Sequence, residues 1–336
     1  MKKVCAIFSI IAIAVALISC DMGVKKYHKT YYGDFFDTVC EIIVYAPSDS
    51  VFNEILNDIE RELLKYHKLL DIYNSYSDIC NVKTINDNAG ISPVTVSKEM
   101  IDILEFCIYA HEVTCGKTNV MMGPVVTLWN ECRDKNDGHI PENDALIALD
   151  QYTDISLLEV NREDMTAYIS KRGASLDVGS IAKGYVAEKI ANLIYDRDIA
   201  ACINLGGNVK LVKSPPYKIW TVGIKDPFGS SSRLKLDLDD GYSVVTSGAY
   251  ERYFYADGHR YNHVIDSDTL YPSEYFESVS VISRDSAICD MLSTALLCMS
   301  KVDGEELLSE FDDAYAIWIY SDGTCEYSDG TGAILK

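Results

Sequence analysis

The segment from 200 to 247 constrains the fold most. It breaks into short apolar runs at 200–205, 209–212, 219–224, 234–238 and 242–247, separated by turns that carry Gly, Pro, Asp and Asn. Runs of this length bounded by turn residues read as β-strands. No helical pattern lies between them, so they pair locally and do not alternate strictly with helices. The chain therefore reads as α+β: one domain of two lobes, with mixed or antiparallel sheets and flanking helices.

The first half supplies most of the helices. A strand over 38–45 precedes a helix over 51–70 whose apolar face is Ile55, Ile59, Leu63 and Leu64. A tyrosine-rich loop follows at 71–77. Ser97 is placed to cap a helix that runs to about 112, with Ile101, Leu104, Ile108 and Tyr109 inward. An apolar helical run through Trp129, a short helix to about 149 and hairpin-like strands over 153–170 come next. Ile181, Tyr185, Val186, Ile190, Leu193 and Ile194 then recur at helical spacing, and a further helix spans about 287–299.

The N-terminus is a targeting segment. Lys2 and Lys3 precede an apolar run over 4–18 that ends in Leu17-Ile18-Ser19-Cys20. A positive region, an apolar stretch and a small residue before cysteine describe a secretory signal whose ending resembles a bacterial lipobox. Residues 1–19 are thus expected to be a lipoprotein signal peptide, and Cys20 the lipidated residue. Residues 20–33 are expected to be a polar tether, and 34–336 the folded domain. The competing reading is an uncleaved anchor, for which the run is short against a span of ~20 residues. Both readings place the folded part outside the cytoplasm, and the lipoprotein reading, which is preferred, expects it at the cell membrane, lipid-anchored, on the extracytoplasmic face.

Charge narrows the partners. The formal charge is −21, and loss of the two signal lysines leaves −23. That field opposes nucleic acid held by phosphate contacts. An anionic ligand would need a local positive site or a divalent cation. Beyond Cys5 and Cys20, nine cysteines are scattered with no CxxC pair. This is neither a disulfide framework nor a zinc site, and nine exported thiols suit a reducing setting.

Five stretches are candidates for chemistry. Asp177, Gly179, Ser180 and Lys183 lie where the chain enters a helix, a place where free N–H groups favour an anion or an anion with its metal. A capped helix with a surface lysine is the alternative. Asn204-Leu205-Gly206-Gly207-Asn208 interrupts a strand, as a bulge, a close backbone approach or a simple turn. Thr246-Ser247-Gly248-Ala249-Tyr250-Glu251-Arg252 ends a strand in groups able to hold a ring or phosphate, or in a salt-bridged arginine. His263 stands beside Asp266, either as a general base or as a structural histidine bonded to that aspartate. Asp290 and Thr294 share one face of an apolar helix, where a lone carboxylate is costly unless it is paired or metal-bound. An oxygen-only set favours Mg²⁺ or Ca²⁺.

In this order the five stretches resemble the ApbE family of FAD:protein FMN transferases. The matching positions are Asp177 to Tyr185, Asn204 to Asn208, Thr246 to Arg252, His263 to Asp266 with Thr269, and Asp290 to Thr294. Phe36-Asp37-Thr38, Tyr73 and Thr118-Asn119 are also similar to flavin-site positions of the family. The resemblance implies a single ApbE-like catalytic domain that binds FAD with Mg²⁺. It further implies transfer of FMN to a threonine or serine hydroxyl of a target protein, such as a subunit of a membrane redox complex, with release of AMP. It assigns Ser180, Asp290 and Thr294 to the metal and His263 to catalysis. To FAD it assigns Phe36, Tyr73, Thr118, Asn119, Asp177, Lys183, Ser247, Gly248 and His263. Ser267 and Leu270 stand where the family has proline and glycine, so the loop after His263 is expected to be reshaped. An FAD pyrophosphatase giving FMN and AMP, and a flavin-binding lipoprotein without turnover, are the alternatives.

Overall fold

Eight antiparallel strands carry the fold, and they lie side by side in chain order. They are β1 (Lys25–Phe35), β2 (Thr38–Ala46), β3 (Ala200–Leu205), β4 (Asn208–Leu211), β5 (Ser243–Gly248), β6 (Ser278–Ser283), β7 (Tyr315–Ile319) and β8 (Cys325–Tyr327). The structure is a computed structural model that describes residues 23–216 and 218–333. The expected signal peptide, the lipidation site Cys20 and the first residues of the expected tether lie outside the described residues.

Strand β2 shows how both faces of the sheet are buried. Ile42, Val44 and Ala46 enter one core while Ile43 and Tyr45 enter another, as the two-residue period of a strand requires. A separate antiparallel hairpin, Trp220–Lys225 with Ser232–Leu238, covers the second face through Trp220, Val222, Ile224, Leu236 and Leu238. The first face is covered by helices. In chain order the helices are α1 (Asp49–Leu69), α2 (Val82–Asp87), α3 (Lys98–Val113), α4 (Gly123–Lys135), α5 (Asn143–Asp150), α6 (Ala182–Tyr195), α7 (Ser286–Leu297) and α8 (Lys301–Leu308). Residues Ile59 of α1, Ile101 of α3, Ile190 of α6 and Leu292 of α7 are all fully buried in this core. A third cluster gathers Val125 and Trp129 of α4 with Phe254, Ile265 and Leu270.

Local signals explain the helix boundaries. Ser48 accepts the Val51 N–H, and Ser97 accepts the Met100 N–H, as its position predicts. Asp285 accepts from both Ala287 and Ile288, which places Asp290 inside α7 and not at its cap. Among the described residues no helix is long and apolar enough to cross a membrane. All nine described cysteines are free.

The expected tether is corrected over residues 25–33, which belong to β1. This strand pairs with β2 from Lys25 opposite Ala46 to Phe35 opposite Thr38. Phe36 and Asp37 form the two-residue turn, both left-handed, with φ of 52° and 49°. Such turns normally carry Asn or Gly, so the usual hairpin signal is missing from the sequence. The polar character of β1 has its own cause. It is an edge strand with Lys25, Lys26 and Lys29 exposed, and edge lysines discourage pairing with a second chain.

Candidate active site

Helices α6 and α7 meet at Gly184. A Cβ there would come within 3.0 Å of the Ser286 carbonyl oxygen and of Asp290 Cβ, so the approach needs glycine. It brings the Gly184 N–H, one of the donors left free in the first turn of α6, to Asp290 Oδ2 at 2.7 Å. Asn208 Nδ2 donates to the same oxygen at 3.3 Å. Asp290 is only 3% exposed, and burial pushes its carboxyl up against the opposing pull of Lys183 and the Gly184 N–H. One turn further along α7, Thr294 Oγ1 lies 3.4 Å from the Ser180 carbonyl oxygen, a long O–H···O contact. The Ser180 hydroxyl is buried without a partner. Ser180 does not cap α6; the helix begins at Ala182 after Ile181.

The Asn204–Asn208 stretch is both a turn and a close approach. Gly206 and Gly207 are left-handed, with φ of 60° and 99°, between the paired residues Leu205 and Asn208. Asn204 Oδ1 accepts the Gly207 N–H at 2.9 Å. A Cβ on Gly206 would collide with Thr38, so this turn sits against the start of β2. Beside it, the Phe36 N–H donates to His67 Nδ1 at 3.3 Å.

The charged groups lie at the start of α6 and around His263. Asp177 Oδ1 accepts the Gly179 N–H at 2.9 Å, and Lys183 Nζ donates to the Gly179 carbonyl at 3.3 Å. Burial raises the Asp177 carboxyl, opposed by the Gly179 N–H and by the Lys183 and Arg252 charges. His263 does not bond Asp266. Its Nδ1–H donates to the Arg252 carbonyl at 3.3 Å, because a carbonyl can only accept, and this leaves the Nε2 lone pair free. Burial, with Arg252 and Lys183 nearby, holds the His263 imidazole down to about 3, so it is neutral near pH 7. The Tyr73 ring is 68% exposed and lies in the field of Asp177, Asp37, Arg252 and Arg133. A chain of −21 thus concentrates Lys183, Arg252 and Arg133 around one histidine.

Several expected flavin positions have structural employment. Ser247 Oγ is 2.8 Å from Ser293 Oγ, joining β5 to α7. Gly248 lets the Tyr250 ring lie close against the chain. Thr118 is buried and donates to the Met291 carbonyl at 2.7 Å. Asn119 caps the short 3₁₀ turn Val120–Met122 through Met121 N–H and donates to the Thr153 carbonyl. Sequence reasoning passed over Gly184, Asn208 as a carboxylate partner, and Lys117. The Lys-Gly-Tyr run of α6 contained the one available signal, a glycine inside a helix.

The donor set suits a hard cation. Along the α6–α7 contact the Asp290 carboxylate meets Gly184, the Thr294 hydroxyl meets the Ser180 carbonyl one turn on, and the Ser180 hydroxyl is buried without a partner. Such oxygen donors match Mg²⁺ or Ca²⁺ and not zinc. Among the described residues no group of three or more His, Cys, Asp and Glu side chains forms a metal cluster, so the candidate depends on neutral oxygens beside a single carboxylate.

Comparison with known proteins identifies the family and the fold. A model of the ApbE family matches residues 36–318. An FAD:protein FMN transferase of Klebsiella pneumoniae (strain 342) is 33% identical over 283 residues, covering 82% of this chain and 84% of the relative. Another, of Treponema pallidum (strain Nichols), is 30% identical over 311 residues, covering 87% and 84%. The ApbE protein of Thermotoga maritima has a similar structure, with a TM-score of 0.82 and 26% identity over 93% of this chain and 100% of that one. The flavin transferase ApbE from Vibrio cholerae, at 22% identity and a TM-score of 0.79, covers the same shares and shows likeness of fold.

Proposed function

Because this chain belongs to the ApbE family, we propose that it is a transferase that moves FMN from FAD onto a target protein. In the full reading the reaction depends on Mg²⁺, the acceptor is a threonine or serine hydroxyl, and AMP leaves. The observation that carries this reading is the α6–α7 contact, which sets Asp290 against Gly184 and Thr294 against the Ser180 carbonyl, with Lys183 and Arg252 in the field of a neutral His263.

Asp290, Thr294 and Ser180 would hold the cation, which when bound neutralises charge on the pyrophosphate. Lys183 and Arg252 supply fixed positive charge for phosphate oxygens. Tyr73 offers an open ring face for the flavin, next to the Phe36 turn. His263 Nε2 accepts the proton of the acceptor hydroxyl as its oxygen attacks phosphorus. In the free protein Arg252 and Lys183 help hold this imidazole down; the negative charges of FAD offset them, so the base strengthens when substrate arrives.

Lipid attachment at Cys20 and a place on the extracytoplasmic face of the cell membrane belong to the same proposal, supported by the sequence of residues 1–20. Cys20→Ser should move the protein from the membrane to the soluble fraction. The decisive assay incubates full-length protein with FAD, Mg²⁺ and a candidate acceptor, and measures acceptor mass and AMP. FMN on the acceptor supports transfer. AMP with free FMN means hydrolysis, and neither product means a flavin binder.

A further inference from the structure

His263 is weakly held by its own side chain. Among the described residues its only side-chain hydrogen bond is the 3.3 Å contact with the Arg252 carbonyl. Its placement therefore depends on the loop it begins. That loop returns on itself: Ser273 N–H donates to the Val264 carbonyl, Asp266 N–H to the Tyr271 carbonyl, and Leu270 N–H to the Asp266 carbonyl, each at 2.8 Å. At the tip, Leu270 is left-handed with φ of 61°, a strained conformation for a residue with a side chain. The strain persists because the surroundings hold it. Leu270 is buried against Trp129, whose Nε1–H donates to its carbonyl at 2.8 Å.

A lysine 149 residues away closes the clamp. Lys117 Nζ lies 2.7 Å from Asp266 Oδ1 and 2.8 Å from Asp268 Oδ2, and the Ser267 hydroxyl donates to the Gly116 carbonyl at 2.9 Å. The Lys117 and Asp266 side chains are 14% and 6% exposed, so this is a largely dry ion pair. Two carboxylates outweigh one ammonium, which leaves Lys117 no charge to offer a phosphate. Among the described residues its ammonium bonds run to Asp266 and Asp268 of the loop.

From these contacts we propose that Lys117 is a positioning residue, holding the strained 264–273 loop so that His263 stays aimed at the acceptor hydroxyl. The proposal rests on the reading of His263 as the base. It acts on the chemical step: Lys117, Asp266 and Asp268 are not among the groups assigned to FAD, and of the residues that are, the clamp holds only the loop that begins at His263, read here as the base.

Lys117→Met alone would strand a buried carboxylate and endanger the fold, so the test uses the full-length Lys117→Met/Asp266→Asn protein. AMP release from FAD with Mg²⁺ and the acceptor gives kcat and KM, and circular dichroism checks folding. We expect a folded protein with KM for FAD within about twofold and kcat lowered by about 10- to 100-fold, the penalty of a misplaced catalytic group. Lys117→Arg alone, which keeps a cation against Asp266 and Asp268, should retain most of kcat, because the loop then keeps its clamp. An unchanged kcat, a raised KM with kcat intact, or a Lys117→Arg variant as slow as the double variant overturns the proposal. His263→Ala run in parallel separates the two claims. Wild-type turnover there overturns the base assignment and the proposal with it. An inactive His263→Ala beside a fully active double variant overturns the positioning alone.

Discussion

Replacing Gly184 by alanine sets two physical effects against each other. Helix propensity favours alanine over an interior glycine by about 1 kcal/mol. The contact with α7 opposes it, because the new Cβ would fall within 3.0 Å of the Ser286 carbonyl oxygen and Asp290 Cβ. Both obstacles are backbone or the root of a side chain and cannot swing aside, so the helices must separate. Overpacking of this kind costs about 1–3 kcal/mol. Separation also stretches the 2.7 Å Gly184 N–H···Oδ2 bond of a buried carboxylate, with about 1.5–3 kcal/mol at stake for a charged acceptor. After the propensity gain, the variant should be about 2–4 kcal/mol less stable. At about 2–3 °C per kcal/mol for a chain of this size, Tm falls by roughly 5–10 °C. Urea unfolding followed by circular dichroism should show a lower midpoint at constant slope, and half-maximal turnover should need more Mg²⁺. A midpoint equal to or above wild type would mean that propensity wins and that the helices are not in tight contact, which would refute the account of how Asp290 is held.

Other consequences can be measured independently. Burial raises the Asp290 carboxyl above its unfolded value of about 3.9, so around and above that pH the folded state binds the extra proton and its stability falls as pH rises through the raised pKa. Metal-free Asp290→Asn should therefore gain stability over wild type as pH rises in thermal melts, and Mg²⁺ should stabilise wild type alone. A pH-independent difference between the two proteins would refute the burial argument. The same variant should release no AMP from FAD at any Mg²⁺ concentration. Tyr73→Ser removes an exposed, unstacked ring and should raise the KM for FAD by about 5- to 10-fold with little change in kcat, as expected for loss of about 1–1.5 kcal/mol of stacking. An unchanged KM would place the flavin elsewhere.

Much of the site was legible because its signals are local. Asp290 and Thr294 are four apart on one helix, and Asp177 to Lys183 lead into another; such spacings are fixed by helical geometry wherever the helix packs. The predicted cap of α3 at Ser97 held for the same reason. The loop after His263 is a more instructive case. Ser267 and Leu270 marked it as unusual in the sequence, and Leu270 occupies the left-handed conformation that glycine would adopt freely, with Trp129 donating to its carbonyl and Lys117 paired to Asp266 of the same loop. Strand β1 was hidden because its turn, Phe36-Asp37, carries none of the residues that favour positive φ, and because an edge strand need not look apolar.

By itself, the sequence determined which elements form and which polar groups they carry, since capping, periodicity and turn chemistry act over a few residues. Only the tertiary structure decided which of those groups meet. The Gly184 N–H finds Asp290 across 106 residues, and Lys117 finds Asp266 across 149. Neither pairing leaves a periodic trace in the chain, because both depend on how close two elements can approach, on a missing Cβ in one case and on a buried ion pair in the other.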